Sequence, residues 1–170
     1  MTSEQQFSSP PPVLASARVL FYASVDDSLK FAGRSLLFVD GKELGKVPCL
    51  AICDEKKSGE VLLFHCDSEW NVLGCSAYVS VDKAKARAER IYAGISSRWV
   101  DAKVSQEMAD TYIDENRRAL EMRLKTLRQT ARCSFCGRKY EEVPDIRVNE
   151  AEDAFICRLC VEEFYQSGAK

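Results

Sequence analysis

Two stretches decide the fold of the C-terminal part of this chain: Cys133-Ser134-Phe135-Cys136 and Cys157-Arg158-Leu159-Cys160. In each stretch two residues separate the cysteines, so that one tight backbone turn aims both sulfurs at the same point. Two such turns supply the sulfur shell of a tetrahedral zinc site. Because protein fills all four positions, we predict one structural zinc ion per chain, with Cys133, Cys136, Cys157 and Cys160 as its ligands.

The segment around these cysteines is too short to fold on apolar burial alone. Domains below about 40 residues usually need a metal or disulfides to supplement a small core. Two disulfides are therefore the alternative explanation of the four cysteines. We favour zinc because nothing in the sequence indicates an oxidising compartment.

The residues next to the cysteines carry a resemblance to a known family. Residues 132–139 read Arg-Cys-Ser-Phe-Cys-Gly-Arg-Lys, and residues 155–163 read Phe-Ile-Cys-Arg-Leu-Cys-Val-Glu-Glu. Over residues 131–166 the chain resembles the N-terminal zinc-binding domain of the ClpX unfoldase. This resemblance implies a small treble-clef-like module that dimerises and recruits substrates and adaptor proteins. The segment between the two cysteine pairs is longer than is usual in that family, which gives its loop, residues 144–153, a different surface.

The motor of the unfoldase is not encoded in this chain. Its phosphate-binding loop needs the pattern G-x-x-x-x-G-K-[ST], and the nearest stretch, residues 41–46, has the wrong spacing. The zinc module is therefore joined to a different kind of body.

Composition points to a folded protein without a membrane span. Hydrophobic residues make up 46% of the 170 residues, enough for a core. The longest apolar runs, residues 36–39 and 61–64, are far shorter than the ~20 residues of a membrane helix. The first residues are rich in Ser, Gln and Pro and do not form a signal peptide. We expect a cytoplasmic protein whose residues 1–16 are a disordered tail.

The charge distribution argues against a nucleic-acid partner. Residues 1–104 hold 13 basic and 13 acidic side chains, residues 105–131 hold 5 of each, and residues 132–170 hold 6 basic and 8 acidic ones. Nucleic-acid-binding modules usually carry a basic footprint that neutralises phosphates. We therefore consider nucleic acid an unlikely partner.

Residues 17–104 show the pattern of an antiparallel α+β body. A helix is predicted from an N-cap at Ser80 to Tyr92, with Ala84, Ala88 and Ile91 facing the sheet. The pair Asp40-Gly41 predicts a hairpin turn. Strands are predicted at residues 18–22, 35–39, 42–44, 47–53, 60–66, 72–79 and 97–100.

Residues 105–131 predict one long amphipathic helix that leads to the zinc module, residues 132–166. Ser105 is a good N-cap, and an apolar stripe includes Leu120, Leu124 and Leu127. The helix either lies on its own domain's sheet or forms a stalk that pairs with a second copy. The predicted fold class is thus α+β: an antiparallel sheet with one packed helix, a long linking helix, and a small treble-clef-like module built on four cysteines.

Four further cysteines and the lone histidine lie in predicted strands: Cys49, Cys53, Cys66, Cys75 and His65. Their spacing does not form zinc turns, and buried cysteines commonly act as small apolar side chains, so we expect core packing. If Cys66 lies opposite Val72, then His65 faces Leu73 and Cys75 is a diagonal neighbour. A distance of ~7–8 Å would then be too long for a catalytic dyad.

These observations predict a non-enzymatic protein-interaction and dimerisation module. The resemblance adds a role as adaptor or substrate recruiter for a protease or chaperone system. We expect a homodimer and a protein partner that docks near the zinc module. The alternative is a zinc-dependent nucleic-acid-binding regulator, and the third hypothesis is an enzyme that uses the cysteines and histidine of the body.

Overall fold

The structure, a computed structural model, divides the chain into two compact units, Met1–Asp114 and Glu115–Lys170. The predicted limits of the body, the linking helix and the zinc module remain predictions. The residues that the structure describes are 8–32, 38–39, 42–43, 45–56, 58–143, 145–149, 151 and 153–167.

The first unit is built around a six-stranded antiparallel sheet. The strands of this unit are β1 (Val13–Leu14), β2 (Ala17–Ser24), β3 (Lys30–Phe31), β4 (Phe38–Val39), β5 (Lys42–Glu43), β6 (Cys49–Asp54), β7 (Val61–Cys66), β8 (Val72–Tyr78), β9 (Tyr92–Ala93) and β10 (Val100–Asp101). Five strands of the sheet follow the order β1-β2-β6-β7-β8, and β10 pairs with β2. Two further strand pairs, β3 with β9 and β4 with β5, lie outside this sheet.

Helix α1 (Val81–Ile91) covers one face of the sheet, as predicted. The Ser80 hydroxyl accepts the Lys83 N–H at 3.3 Å and so caps the first turn. The predicted stripe is buried, and it packs against one side of β6 and β7. This confirms the prediction of an antiparallel α+β body with one packed helix. The core here includes Leu50, Ile52, Leu63, Ala84, Ala88, Ile91 and Tyr92.

The opposite face of the sheet carries mostly small side chains, together with Phe64 and Trp70. The Trp70 ring meets Tyr22 edge to face, with 5.7 Å between the ring centroids. Its Nε1–H donates to the carbonyl oxygen of Ser8 at 2.8 Å, and Leu14 is buried. Residues 8–16 therefore lie against the sheet, whereas the sequence predicted a disordered tail there. The tail prediction for residues 1–7 lies outside the described residues.

The first half of the predicted strand at residues 97–100 lies in a 3-10 helix, Ile95–Arg98, and β10 begins only at Val100. The Glu89 carboxylate accepts the N–H groups of Gly94 and Ser96 at 2.7 and 2.9 Å. Gly94 has a φ of 95°, a backbone conformation that residues with a Cβ atom rarely adopt. These bonds turn the chain tightly just before the predicted strand.

The hairpin predicted around Asp40-Gly41 is present as the pair β4 and β5. The turn residues themselves, and most of the predicted strand at residues 35–39, lie outside the described residues.

Helix α2 (Gln106–Thr130) spans the boundary between the units, and the rest of the second unit surrounds the paired cysteines. Strands β11 (Ile146–Val148) and β12 (Phe155–Cys157) form an antiparallel hairpin, and α3 (Arg158–Ser167) follows β12 without a break. The treble-clef assignment stays a prediction. Among the described residues, no helix has the length and apolar character needed to cross a membrane.

Candidate metal centre

The first cysteine pair lies in a tight turn closed by backbone hydrogen bonds. The Cys133 N–H donates to the Arg138 carbonyl at 2.9 Å, and the Gly137 N–H donates to the Cys133 carbonyl at 2.8 Å. Gly137 has a φ of 73° and open space where a Cβ would stand. The glycine is therefore required by the backbone conformation and not by a close neighbour.

The second pair is brought to the first by β12 and α3. Cys157 ends β12, and Cys160 lies in the first turn of α3. Ser134 joins the two halves: its N–H donates to the Phe155 carbonyl at 2.8 Å, and its hydroxyl accepts the Phe155 N–H at 3.0 Å. In the sequence, Ser134 is recognisable only as part of the cysteine motif, and its joining role is not predicted. A small hydroxyl side chain directly after the first cysteine was the available signal.

The four sulfurs stand at the separations that zinc requires. All four Sγ atoms lie within 4.8 Å of one another. Cys133 Sγ is 3.7 Å from Cys160 Sγ, and Cys136 Sγ is 3.7 Å from Cys157 Sγ. A tetrahedron with Zn–S bonds of ~2.3 Å has edges of ~3.8 Å. The same distances are far longer than the ~2.05 Å of a disulfide bond, and the cysteines are unpaired.

The surroundings of the sulfurs favour a bound cation. Burial alone would raise the pKa of Cys133, but the N–H groups of Cys136, Cys157 and Phe135 outweigh burial and lower that pKa to about 6. Burial and hydrogen bonds from neighbouring sulfurs raise the pKa of Cys160 to about 12. Without a metal, Cys133 thus loses its proton easily, whereas Cys160 keeps its proton at neutral pH. A divalent cation between the sulfurs removes this repulsion and allows four thiolates.

Little apolar material supports the module besides the metal ligands. Cys133, Cys157 and Cys160 are buried, whereas Cys136 is exposed. The buried cluster around them adds Val143, with Ile146 and Ile156 partly buried at its edge. A core of this size agrees with a module that depends on its metal for folding. With four protein ligands no position remains for water or substrate, so the ion is structural.

Comparison with known families identifies this module. Residues 131–167 match the family model of the ClpX C4-type zinc finger. The four cysteines of this zinc finger are thus the ligands of a single structural zinc ion. The matched stretch is under a quarter of the chain, and no family model matches the N-terminal body. The comparisons with curated proteins and with solved structures find no match.

The remaining cysteines and the histidine form no second site of this kind. Among the described residues, the zinc-finger quartet is the one group of three or more such ligands with its atoms this close together. Cys49, Cys53 and Cys66 are buried on the face of the sheet that carries Trp70, which confirms their prediction as core residues. Burial raises the pKa of all three, to about 11 for Cys49 and about 12 for Cys66. The thiols are therefore protonated and unreactive at neutral pH.

The prediction for Cys75 was wrong in two respects. Cys75 is exposed, and it lies opposite Phe64, while His65 lies opposite Gly74 and not Leu73. A register shift between His65 and Cys66 causes the difference, because a bulge displaces one residue of the partner strand. Cross-strand partners share a face, so Cys75 and His65 point to opposite sides of the sheet. The sheet does not assemble this pair into a dyad.

His65 is one of the best-buried polar side chains described, with 1% of its surface exposed. Its ring lies 6.5 Å from that of Tyr92, on the side that α1 covers. Burial, with a smaller contribution from the charge of Arg87, lowers its pKa to about 4. His65 is therefore neutral at physiological pH, and its surroundings are those of a core residue.

Proposed function

We propose that this protein is a non-enzymatic protein-interaction module whose zinc finger presents an apolar surface to a protein partner. The observation that carries the proposal is a group of exposed apolar side chains on the finger, here named the docking patch. In a module this small, so much exposed apolar surface is characteristic of an interaction site. The patch consists of Phe135, Leu159, Phe164 and Tyr165, whose exposed fractions are 62%, 49%, 56% and 80%.

The metal holds the docking patch in place. Phe135 lies between the ligands Cys133 and Cys136, and Leu159 lies between the ligands of the second pair. The backbone of both residues is thus fixed by metal bonds on either side. The Phe135 and Phe164 rings meet nearly edge to face, with 5.4 Å between their centroids. Pre-arranged aromatic side chains lose little freedom on binding and are typical anchors of protein interfaces.

The family match supports a recruiting role. The resemblance to the zinc-binding domain of ClpX implies a module that dimerises and recruits substrates and adaptors. We extend this to the whole chain as an adaptor or substrate recruiter for a protease or chaperone system, acting as a homodimer in the cytoplasm. The acidic balance of residues 132–170 favours a protein partner over a polyphosphate.

Affinity capture with matched variants tests the proposal. The full-length zinc-loaded chain is used as bait in a lysate of the native host, and captured proteins are quantified by mass spectrometry. We expect Phe164→Ser to lose the partner while keeping its zinc. Val79→Ser is the control, because Val79 is a 91% exposed apolar residue on the other unit. Equal capture by both variants, or tight salt-sensitive binding of DNA or RNA to the unmodified chain, would contradict the proposal.

A further inference from the structure

The second half of α2 carries a row of leucines that the described part of the chain leaves largely uncovered. Leu120 and Leu124 are 56% and 44% exposed, and Leu127 is half-buried. Their spacings of four and three residues place them on one narrow stripe of the helix, here named the leucine seam. A stripe with this alternation is the pattern of a helix that packs against another helix along its length.

The seam is confined to one face. At 100° per residue, Met122 lies about 140° to 160° around the helix from the seam leucines. The seam is flanked on one side by Glu121 and Arg128, both exposed, and on the other side by Arg123. Because one face is apolar and its flanks are charged, the flanks decide which helix can pair with the seam and in which direction.

The charges favour an antiparallel over a parallel pairing of two copies. In a parallel pair with the seam at the centre, Arg123 of each helix would lie across from Arg128 of the other. This places two like-charge contacts in every dimer. In an antiparallel pair with Leu124 opposite Leu127, Glu121 of each helix lies across from Arg128 of the other. The dimer then contains two Glu121–Arg128 contacts between opposite charges.

We propose that the leucine seam pairs antiparallel with the same segment of a second copy of this chain. The arrangement is self-complementary, because Glu121 of the first copy contacts Arg128 of the second, and Arg128 of the first contacts Glu121 of the second. A two-fold interface requires this reciprocity. This inference specifies the dimer of the proposed function and does not involve the docking patch.

One contact within the unit is compatible with this pairing. The Arg128 guanidinium lies 5.9 Å from the centroid of the Tyr140 ring. A cation–π contact uses the flat face of the guanidinium, and its N–H groups lie in the plane and are directed to the sides. Arg128 can therefore hold this ring and donate to a carboxylate of the second copy.

The expected dimer is weak. Stable interfaces bury about 1,200–2,000 Å² in total, and two short helical segments with three leucines each fall below this range. We therefore expect the average molecular mass to rise from monomer toward dimer as the protein concentration increases from about 1 to 100 µM. Sedimentation equilibrium of the full-length zinc-loaded chain measures this dissociation constant directly.

A matched pair of variants on the same helix tests the seam. Leu124→Glu introduces two charges into the centre of the dimer, and we expect the dissociation constant to rise at least about tenfold. Met122→Glu adds the same charge two residues away on the opposite face, and we expect a change of less than about twofold. Circular dichroism and zinc content show whether both variants keep the helix and the finger.

Charge exchange tests the direction and does not depend on the buried leucines. We expect Glu121→Arg and Arg128→Glu each to weaken the dimer about tenfold, and the double exchange to restore it to within about threefold. In a parallel pair Arg128→Glu would instead strengthen the dimer. That result, a monomer throughout the concentration range, or a dimer that dissociates with Phe164→Glu but not with Leu124→Glu would overturn the inference. The last result would place the dimer interface at the docking patch, and the affinity capture would still test separately whether a protein partner binds the finger.

Discussion

At the scale of single residues, the cysteines of this chain differ in what surrounds each sulfur. Cys133 Sγ accepts the Cys157 N–H at 3.4 Å and lies 3.7 Å from a second thiol, Cys160. Cys53, in contrast, lies among apolar side chains, and its burial raises the thiol pKa strongly. Backbone donors favour the thiolate of Cys133, and crowded sulfurs become thiolates together only when a cation lies between them, whereas an apolar environment favours the neutral thiol. The same residue type is thus a ligand in one unit and packing material in the other.

Replacing a zinc ligand tests the metal assignment. We expect Cys157→Ser to reduce the zinc content from one ion per chain to nearly none and to unfold the finger, because zinc binding supplies its folding free energy. Inductively coupled plasma mass spectrometry measures the metal. Cys75→Ser is the control, since Cys75 is exposed and lies in β8. A Cys157→Ser variant with full zinc content would refute the assignment.

His65 makes the stability of the body depend on pH. Its pKa is lowered from 6.5 to about 4 by burial, so the unfolded chain takes up the proton first. The free energy of unfolding therefore falls as the pH drops from about 6.5 toward about 4, and changes no further from this source below that. Between pH 8 and 5 the expected loss is on the order of 2 kcal/mol. We expect His65→Leu to lose this dependence.

Urea unfolding followed by tryptophan fluorescence measures this effect, because both Trp70 and Trp99 lie in the first unit. Carboxylates change the free energy of unfolding only at lower pH. Hydrogen bonds from Ser28 and Arg98 lower the pKa of Asp26 to about 2, so the stability that its carboxylate contributes is lost only below about pH 4. A His65→Leu variant that kept the same slope between pH 8 and 5 would rule out His65 as its source.

At the scale of elements, a buried tyrosine ties the end of α1 to the chain that leads into β6. Tyr92 follows α1, is fully buried, and its hydroxyl oxygen accepts the Val47 N–H at 3.1 Å. Its ring also packs against Phe31, with 5.3 Å between centroids. One side chain thus satisfies a backbone donor that the sheet does not reach.

The variant Tyr92→Phe removes the acceptor and leaves the Val47 N–H buried without a partner. We expect it to lower the free energy of unfolding by about 1–3 kcal/mol. Tyr165→Phe makes the same chemical change at an 80% exposed position and should have no measurable effect. Urea unfolding gives both values. Equal stability of the two variants would show that the hydroxyl contributes nothing.

At the scale of the whole molecule, each unit has its own buried core. The two core clusters of the sheet lie entirely in the first unit, and the cluster around the zinc ligands lies entirely in the second. We therefore expect metal removal to unfold the finger and to leave the body folded.

Chelation tests this independence. In excess chelator, the finger should become sensitive to protease, while the urea midpoint reported by Trp70 and Trp99 should stay unchanged. Simultaneous loss of the tryptophan signal would mean that the two units fold as one.

The sequence by itself determined the zinc finger, because ligand spacing is a local property: two residues between cysteines suffice to form each turn. It also determined α1, since its cap and apolar stripe lie within one helix. The tertiary structure alone decided the exposure of Cys75 and the placement of residues 8–16. A one-residue bulge in β8 sends Cys75 to the face opposite His65, and the Trp70–Ser8 hydrogen bond joins residues far apart in the chain. Such outcomes depend on register and on distant partners, which no local pattern encodes.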